Sequence, residues 1–398
     1  MNNTNQQQNT TFYGLGIVPG ILEILKKLRY VTPTPIQYQT ISIAIEGKDI
    51  VGIAQTGTGK TLAFGVPMIQ RLATTKGLGL VLLPTRELAV QIESHLLKIG
   101  NSLGLKTAVL IGGVPIRPQI AAIRRNPNII IATPGRLIDH LQQRTINLKN
   151  VNILVLDEAD RMLDMGFLPQ IKEILRMVPK DRQTMLFSAT LSSEIMNIAS
   201  ANMKLPVRVE IAPSGTTVEN VSQDIFIVAK EAKNHLLEKV LAQHSGSALI
   251  FTRTKYGAHR LSGVIKQMGY SSAEIHSNRT FLQRKSALDG FKSGKYRVLV
   301  ATDIVARGID VVGIELVINY DLPSQAEDYV HRIGRTARAG NKGHAISFVM
   351  PSEQAEIRAI EWLTRKKLNV STLPDFPTKQ FSKPRMVYRT RRYGRGMR

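Results

Sequence analysis

Short β-rich apolar runs alternate with helical patterns along the whole chain, and they do so in two successive series. The first series holds Asp49–Ala54, Gly79–Pro84, Thr107–Ile111, Asn128–Thr133, Val151–Leu156 and Thr184–Ser188. The second holds Gln223–Ala229, Ala248–Thr252, Ala273–His276, Arg297–Ala301, Leu316–Tyr320 and Ala345–Met350. Strands alternating with helices of roughly 10–15 residues need crossover connections, which build mostly parallel sheets. Two such series in 398 residues predict two doubly wound α/β domains. The expected domains are 12–212 and 220–370. The linker 213–219 is marked by the polar, Gly/Pro-punctuated stretch Pro213-Ser214-Gly215-Thr216-Thr217. Residues 1–11 are rich in Asn, Gln and Thr, with neither a charged n-region nor an apolar h-region. They read as a disordered leader rather than a signal peptide. Residues 371–398 read as a basic tail whose composition cannot bury a core.

The formal charge is +23. Such an imbalance points to a polyanionic partner, nucleic acid first and an anionic membrane surface second. No basic amphipathic helix with an aromatic face supports the membrane reading. No apolar run approaches the roughly 18 residues that span a bilayer. The chain has no cysteine, which excludes disulfides and thiolate metal sites and fits a reducing, cytoplasmic setting.

Ala54-Gln55-Thr56-Gly57-Thr58-Gly59-Lys60-Thr61 follows a predicted strand and opens a helix, the context a phosphate-binding loop requires. Gly57 and Gly59 let backbone N–H groups curl around phosphates, and the helix N-terminus adds positive potential. Lys60 can bridge the β- and γ-phosphates, and the Thr61 hydroxyl can ligate Mg²⁺. Asp157-Glu158-Ala159-Asp160 ends the apolar run Val151–Leu156, so a buried strand delivers two adjacent carboxylates to its tip. Asp157 can hold Mg²⁺, and Glu158 is placed to orient or deprotonate the attacking water. Together the two segments predict nucleoside triphosphate hydrolysis.

The spelling Asp-Glu-Ala-Asp is also the signature of the DEAD-box RNA helicases, and this chain resembles that family from Phe12 to about Met350. The resemblance implies two tandem RecA-like domains. Tyr30-Val31-Thr32-Pro33-Thr34-Pro35-Ile36-Gln37 is similar to the Q motif. A glutamine amide there offers both a donor and an acceptor to adenine, and Tyr30 can stack on the ring. Phe12 matches the isolated upstream aromatic. Arg29 stands where glycine is common. Tyr329–Gly340 resembles motif VI, with Arg335 and Arg338 matching the arginine fingers. Ala301–Asp310 resembles motif V, which implies that Asp310 contacts the ATP ribose and Thr302 the RNA backbone. Ser188-Ala189-Thr190 resembles motif III. The implied role of its hydroxyls is to join Asp160 to His331 and so couple ATP to domain closure.

An RNA track is implied in the same way. Pro84-Thr85-Arg86 resembles motif Ia, Gly112-Gly113 the GG doublet, Thr133-Pro134-Gly135-Arg136 motif Ib, and Thr252-Arg253 motif IV. Each offers hydroxyls, backbone N–H groups or guanidinium, which bind phosphate and sugar without reading bases. The family's Gln-x-x-Arg motif appears as Phe281-Leu282-Gln283-Arg284, so Arg284 is kept and an amide is lost. Packing of Phe281 under the domain surface is favoured over stacking on a nucleotide. On that reading Phe281→Gln changes RNA affinity by less than about threefold. The tail, with Tyr388 and Tyr393 among its arginines, is expected to add sequence-independent affinity. The expectation is a monomeric ATP-dependent RNA helicase that needs ATP and Mg²⁺. The alternatives are an ATP-gated RNA clamp without useful unwinding and a DNA helicase.

Overall fold

The computed structural model describes residues 11–55, 57–211, 221–303, 311, 313–337 and 343–372. Of the residues singled out above, Thr56, Asp310 and Arg338 lie outside the described residues. So do the leader to residue 10, the linker 213–219 and the chain beyond 372.

Two seven-stranded sheets follow one another, and every strand pair in both is parallel. The first contains β1 (Ile50–Ile53), β2 (Leu78–Leu82), β3 (Thr107–Leu110), β4 (Ile129–Ala132), β5 (Val151–Leu156), β6 (Gln183–Ser188) and β7 (Val207–Glu210), in the order β3-β4-β2-β5-β6-β1-β7. The second contains β8 (Val221–Ile227), β9 (Ala248–Phe251), β10 (Ser272–Ile275), β11 (Val298–Ala301), β12 (Leu316–Asn319), β13 (Gly343–Val349) and β14 (Asn369–Val370), in the order β10-β11-β9-β12-β13-β8-β14. All twelve predicted strands are present. The two that sequence patterning did not supply, β7 and β14, are short edge strands with exposed positions.

Helices cover both faces of each sheet, so the strands carry continuous apolar runs rather than an alternation with polar residues. The period of two survives in which core each residue joins. Along β4, Ile129 and Ile131 enter one apolar cluster while Ile130 and Ala132 enter the cluster on the other face. Leu249 and Phe251 of β9 separate from Ala248 and Ile250 in the same way.

The register brings the chemistry to one edge. β6 lies between β5 and β1, with Ile53 opposite Ser188 and Leu156 opposite Leu186. The loop after β1, the carboxylates after β5 and the residues after β6 therefore emerge side by side at the C-terminal tips, where open α/β sheets place ligands.

The two halves touch through the helix Phe281–Lys292. Phe281 is 9% exposed and belongs to the apolar cluster that contains Leu88, Ile92 and Ile111 of the first half. It is thus packed, as favoured above, but across to the other half rather than only beneath its own surface. One turn further, Arg284 Nη2 and Glu87 Oε1 form an ion pair at 2.7 Å, each side chain 8% exposed. No helix among the described residues is long and apolar enough to cross a membrane.

Candidate functional site

Gly57 and Gly59 hold φ of 88° and 90°, the left-handed region that glycine enters without a steric penalty. A Cβ on Gly57 would meet nothing within 4 Å, whereas one on Gly59 would collide with the Gln37 amide. The loop is thus open on the side where phosphates would lie and closed against the Q-motif segment on the other. Helix Lys60–Thr74 starts directly after Gly59. Lys60 is buried, and its Nζ donates to the Ala54 carbonyl at 2.9 Å, holding the ammonium inside the curl of the loop. Thr58 Oγ1 donates to Gln55 O at 2.7 Å.

Gln37 is 3% exposed and already engaged. Its Oε1 accepts from Thr34 N at 2.9 Å, completing a capping box on helix Pro35–Ile45, and its Nε2 donates to Gly59 O at 3.0 Å. One amide hydrogen remains for a base edge. Tyr30 is exposed at the surface, and Phe12 is a core residue of the first half. Arg29 has φ 62° just past the end of helix Pro19–Lys27. That is a conformation which costs a residue with a Cβ and glycine much less.

Beyond β5, Asp157 and Glu158 are both buried. Asp157 Oδ1 accepts from Glu158 N at 2.9 Å. Burial pushes the Asp157 carboxyl up to about 6, with Lys60 opposing and Glu158 reinforcing the rise. For Glu158, burial works upward but is outweighed by Arg161, then Lys60 and Arg335, so its carboxyl ends below the ordinary range. Arg161 Nη1 donates to Glu158 Oε2 at 2.8 Å. The pair is therefore split: Glu158 is held as a carboxylate, and Asp157 lacks a full counter-charge. A buried, under-compensated carboxylate beside Lys60, the residue that precedes Thr61, fits a divalent cation such as Mg²⁺, which takes few protein ligands and completes its shell with phosphate and water. Among the described residues no group of three or more His, Cys, Asp or Glu is arranged so that it could hold a metal ion by itself.

Asp160 ties the tip of β5 to that of β6. Its Oδ2 accepts from Ala189 N and Thr190 N at 3.0 Å each and from Thr190 Oγ1 at 3.2 Å. Its own N–H donates to Ser188 Oγ at 3.3 Å. His331 lies on helix Ala326–Ile333 of the second half. Arg335, 3% exposed, follows that helix, donates from Nε to His331 O at 3.3 Å, and is near enough to Glu158 to depress its titration. Arg332 was not singled out from the sequence, yet it anchors this region. It is 2% exposed, pairs with Asp303 through Nε–Oδ1 at 2.6 Å and Nη2–Oδ2 at 2.8 Å, and donates to Asn319 and to the Asp321 carbonyl. Helix Ala326–Ile333 is thus clamped by one fork to the segment after β11 and to the end of β12.

A cleft of about 440 Å³ gathers most of the implied RNA track. Pro84, Thr85, Arg86, Gly112, Thr133, Gly135 and Arg136 line it from the first half, Ser277 and Arg284 from the second. The Thr85 hydroxyl caps helix Arg86–Gly100 by accepting from Leu88 N, and Thr133 and Pro134 open helix Pro134–Gln142. Gly112 and Gly113 make room for the Arg86 guanidinium, since a Cβ on Gly113 would collide with it. Burial, then Arg284 and Arg136, lowers the Arg86 pKa, with Glu87 opposing, so positive charge is concentrated here. Two candidates are committed to protein partners. Arg284 pairs with Glu87, and Arg253 Nη2 donates to Leu322 O and Glu353 Oε1 at 3.2 Å each. Thr252 and Thr302 are buried at the tips of β9 and β11.

A phosphate-binding loop on one sheet, with an arginine from the next beside its carboxylates, is the layout of a two-domain P-loop triphosphatase. Residues 34–198 match the family model for the DEAD/DEAH box helicase, and residues 232–340 match that of the helicase conserved C-terminal domain. The chain is 41% identical over 369 residues to the ATP-dependent rRNA helicase RRP3 of Yarrowia lipolytica, covering 92% of this chain and 77% of that protein. It is 42% identical over 362 residues to the DEAD-box ATP-dependent RNA helicase CshA of Bacillus subtilis, covering 90% and 73%. Its fold matches that of S. cerevisiae Dbp5 bound to RNA and ADP BeF3 with a TM-score of 0.81 at 29% identity, over 91% of this chain and 95% of that one. The chain belongs to the DEAD-box helicase family, and its two sheets are tandem RecA-like domains.

Proposed function

We infer that the protein is an ATP-dependent RNA helicase. It hydrolyses ATP to ADP and phosphate under RNA stimulation and couples that cycle to closure of its two halves over RNA. The observation that carries this is the approach of Arg335, from the second half, to the buried Glu158 of the first. Closure brings a cation to where charge develops on the transferring phosphoryl group, a contribution of roughly 10³–10⁵ in rate for an arginine finger. In this reading Lys60 neutralises the β- and γ-phosphates, aided by Gln55, Thr56, Gly57, Thr58 and Gly59. Glu158, kept ionised by Arg161, orients and deprotonates water. Arg335 and Arg338 are the fingers, Asp310 holds the ribose, and Phe12, Tyr30 and Gln37 form the adenine side. Thr61 and Asp157 would hold Mg²⁺, which would supply charge neutralisation at the phosphates.

RNA is gripped by its backbone in the cleft lined by Thr85, Arg86, Thr133, Gly135 and Arg136, with Gly113, Pro134, Thr252, Arg253 and Thr302 as further contacts in this reading. No base edge need be read, so local unwinding of short duplexes is not sequence-specific. Because both ligands favour the closed form, each tightens the other by linkage. Asp160, Ser188, Thr190 and His331 transmit nucleotide state to closure. A monomeric core and a cytoplasmic location complete the reading, the latter favoured by the absence of cysteine. The test is Glu158→Gln. It should bind ATP and RNA yet turn over ~10²–10⁴-fold more slowly, and near-normal turnover would remove Glu158 from the proposed role. Strand displacement with hydrolysable and non-hydrolysable ATP distinguishes an unwinding enzyme from a clamp, and RNA against DNA cofactors distinguishes it from a DNA helicase.

A further inference from the structure

Trp362, the only tryptophan in the chain, is 83% exposed. It lies on helix Gln354–Thr364, whose Ile357 and Ile360 are buried in the second half's core. Trp362 stands on the opposite face. One turn before it, Arg358 lies to one side of Trp362 and the small Ala359 to the other, with Ala355 a further turn back, and all three are exposed. Arg365 ends the helix with φ 52°, Lys366 and Lys367 follow it, and all three are exposed. The bland reading is that these cations offset the negative end of the helix dipole. That accounts for the last turn, but not for Arg358 or for an uncovered indole between cations. The nearby acid Glu361 is occupied, its Oε1 accepting from Leu368 N at 3.0 Å.

We propose that Trp362, with Arg358, Arg365 and Lys366, is an auxiliary platform for single-stranded RNA, the indole stacking on a base and the cations holding the adjoining phosphates. A flat aromatic face ringed by positive charge takes single strands without regard to sequence. The proposal rests on the reading of RNA as substrate but adds a site apart from the cleft. Helix Gln354–Thr364 leads through Leu368 into β14, at one edge of the second sheet, whereas Ser277 in the cleft follows β10 at the other edge. Six strand spacings separate these edges, about 28 Å at the usual spacing. At ~3.4 Å per stacked nucleotide, that is about eight nucleotides. RNA longer than this can occupy both sites, and RNA much shorter cannot. The platform belongs to the second half alone, so it acts with or without ATP.

Because Trp362 is the only tryptophan, its emission reports on this site directly. The full chain is titrated with fluorescein-free oligouridylates of about 6 and about 20 nucleotides, without nucleotide, following tryptophan emission and affinity. The expected result is quenching by the longer RNA and a loss of about five- to thirtyfold in its affinity in Trp362→Ala. Trp362→Phe should recover part of that loss, and the melting temperature should stay that of the parent. Unchanged emission at saturating long RNA, or unchanged affinity in Trp362→Ala, would overturn the proposal. So would indole emission already characteristic of a buried ring before RNA is added, since a second copy or the segment after residue 372 would then occupy the face. RNA stimulation of ATP turnover, measured on the same samples, separates the two readings. Stimulation without a tryptophan response defeats only the platform, and absence of stimulation defeats the helicase reading itself.

Discussion

Phe281 offers the sharpest test of how the two halves close. Its ring is 9% exposed and packed with the first half's core cluster, so part of that burial exists only while the halves are together. Burying a phenylalanine fully is worth roughly 1.5–3 kcal/mol. Some of the area is covered by its own half, which leaves about 1–2 kcal/mol for closure. Replacing Phe281 with glutamine removes that term and adds an amide to desolvate. The closure constant should fall about five- to thirtyfold. Only nucleotide-dependent RNA binding should feel the change. The assay is RNA binding with and without a non-hydrolysable ATP analogue, alongside the RNA concentration that half-saturates ATP turnover. Affinity in the presence of the analogue should drop by the stated factor, while nucleotide-free affinity should hold. A change below about threefold in both would show that Phe281 packs within its own half. That is the outcome expected from packing beneath the surface of its own half alone.

The neighbouring ion pair makes a related prediction. Glu87 and Arg284 are both nearly enclosed, so Glu87→Ala should cost closure ~3–5 kcal/mol by stranding a buried guanidinium. The double variant Glu87→Ala/Arg284→Ala should lose less than the sum, and strict additivity in a double-mutant cycle would rule out the pairing. Arg161→Ala removes the main counter-charge that holds Glu158 down, so burial should then raise its pKa. A base is lost as pH falls through its pKa, so the acid limb of the ATPase pH profile should move to higher pH, and an unmoved limb would refute the arrangement. Arg29→Gly relieves a left-handed backbone and should stabilise the first half by about 1 kcal/mol, a rise of roughly 2–4 °C in melting temperature. A lower melting temperature would mean that glycine's unfolded-state entropy wins.

Much of this was legible in the sequence because the governing signals are local. A strand buried on both faces is a short run such as Ile129-Ile130-Ile131, and a phosphate-binding loop is eight consecutive residues. β7 and β14 escaped because Val207–Glu210 and Asn369–Val370 are short, mostly exposed edges with one or two apolar residues each, too few to set a period. The partners that set the chemistry of the site are pairs distant in sequence. Glu87 with Arg284 and Asp303 with Arg332 are joined only by the fold. Two others did carry a signal. Glu158 and Arg161 stand three apart at a helix start, the spacing of an ion pair, and Thr34-x-x-Gln37 spells a capping box. Reading Gln37 as a base contact hid its work on the backbone.

That backbone work has a consequence for fidelity. The Gln37 amide is bonded to Thr34 on one side and to the carbonyl of Gly59 on the other, and Gly59 immediately precedes Lys60. A base held by Gln37, as proposed, would pull on the residue that sets the lysine's starting point. A purine that fitted poorly there would misalign the grip on its own phosphates. Discrimination between triphosphates should consequently appear in the turnover number as well as in occupancy, a kinetic proof-check made from one side chain.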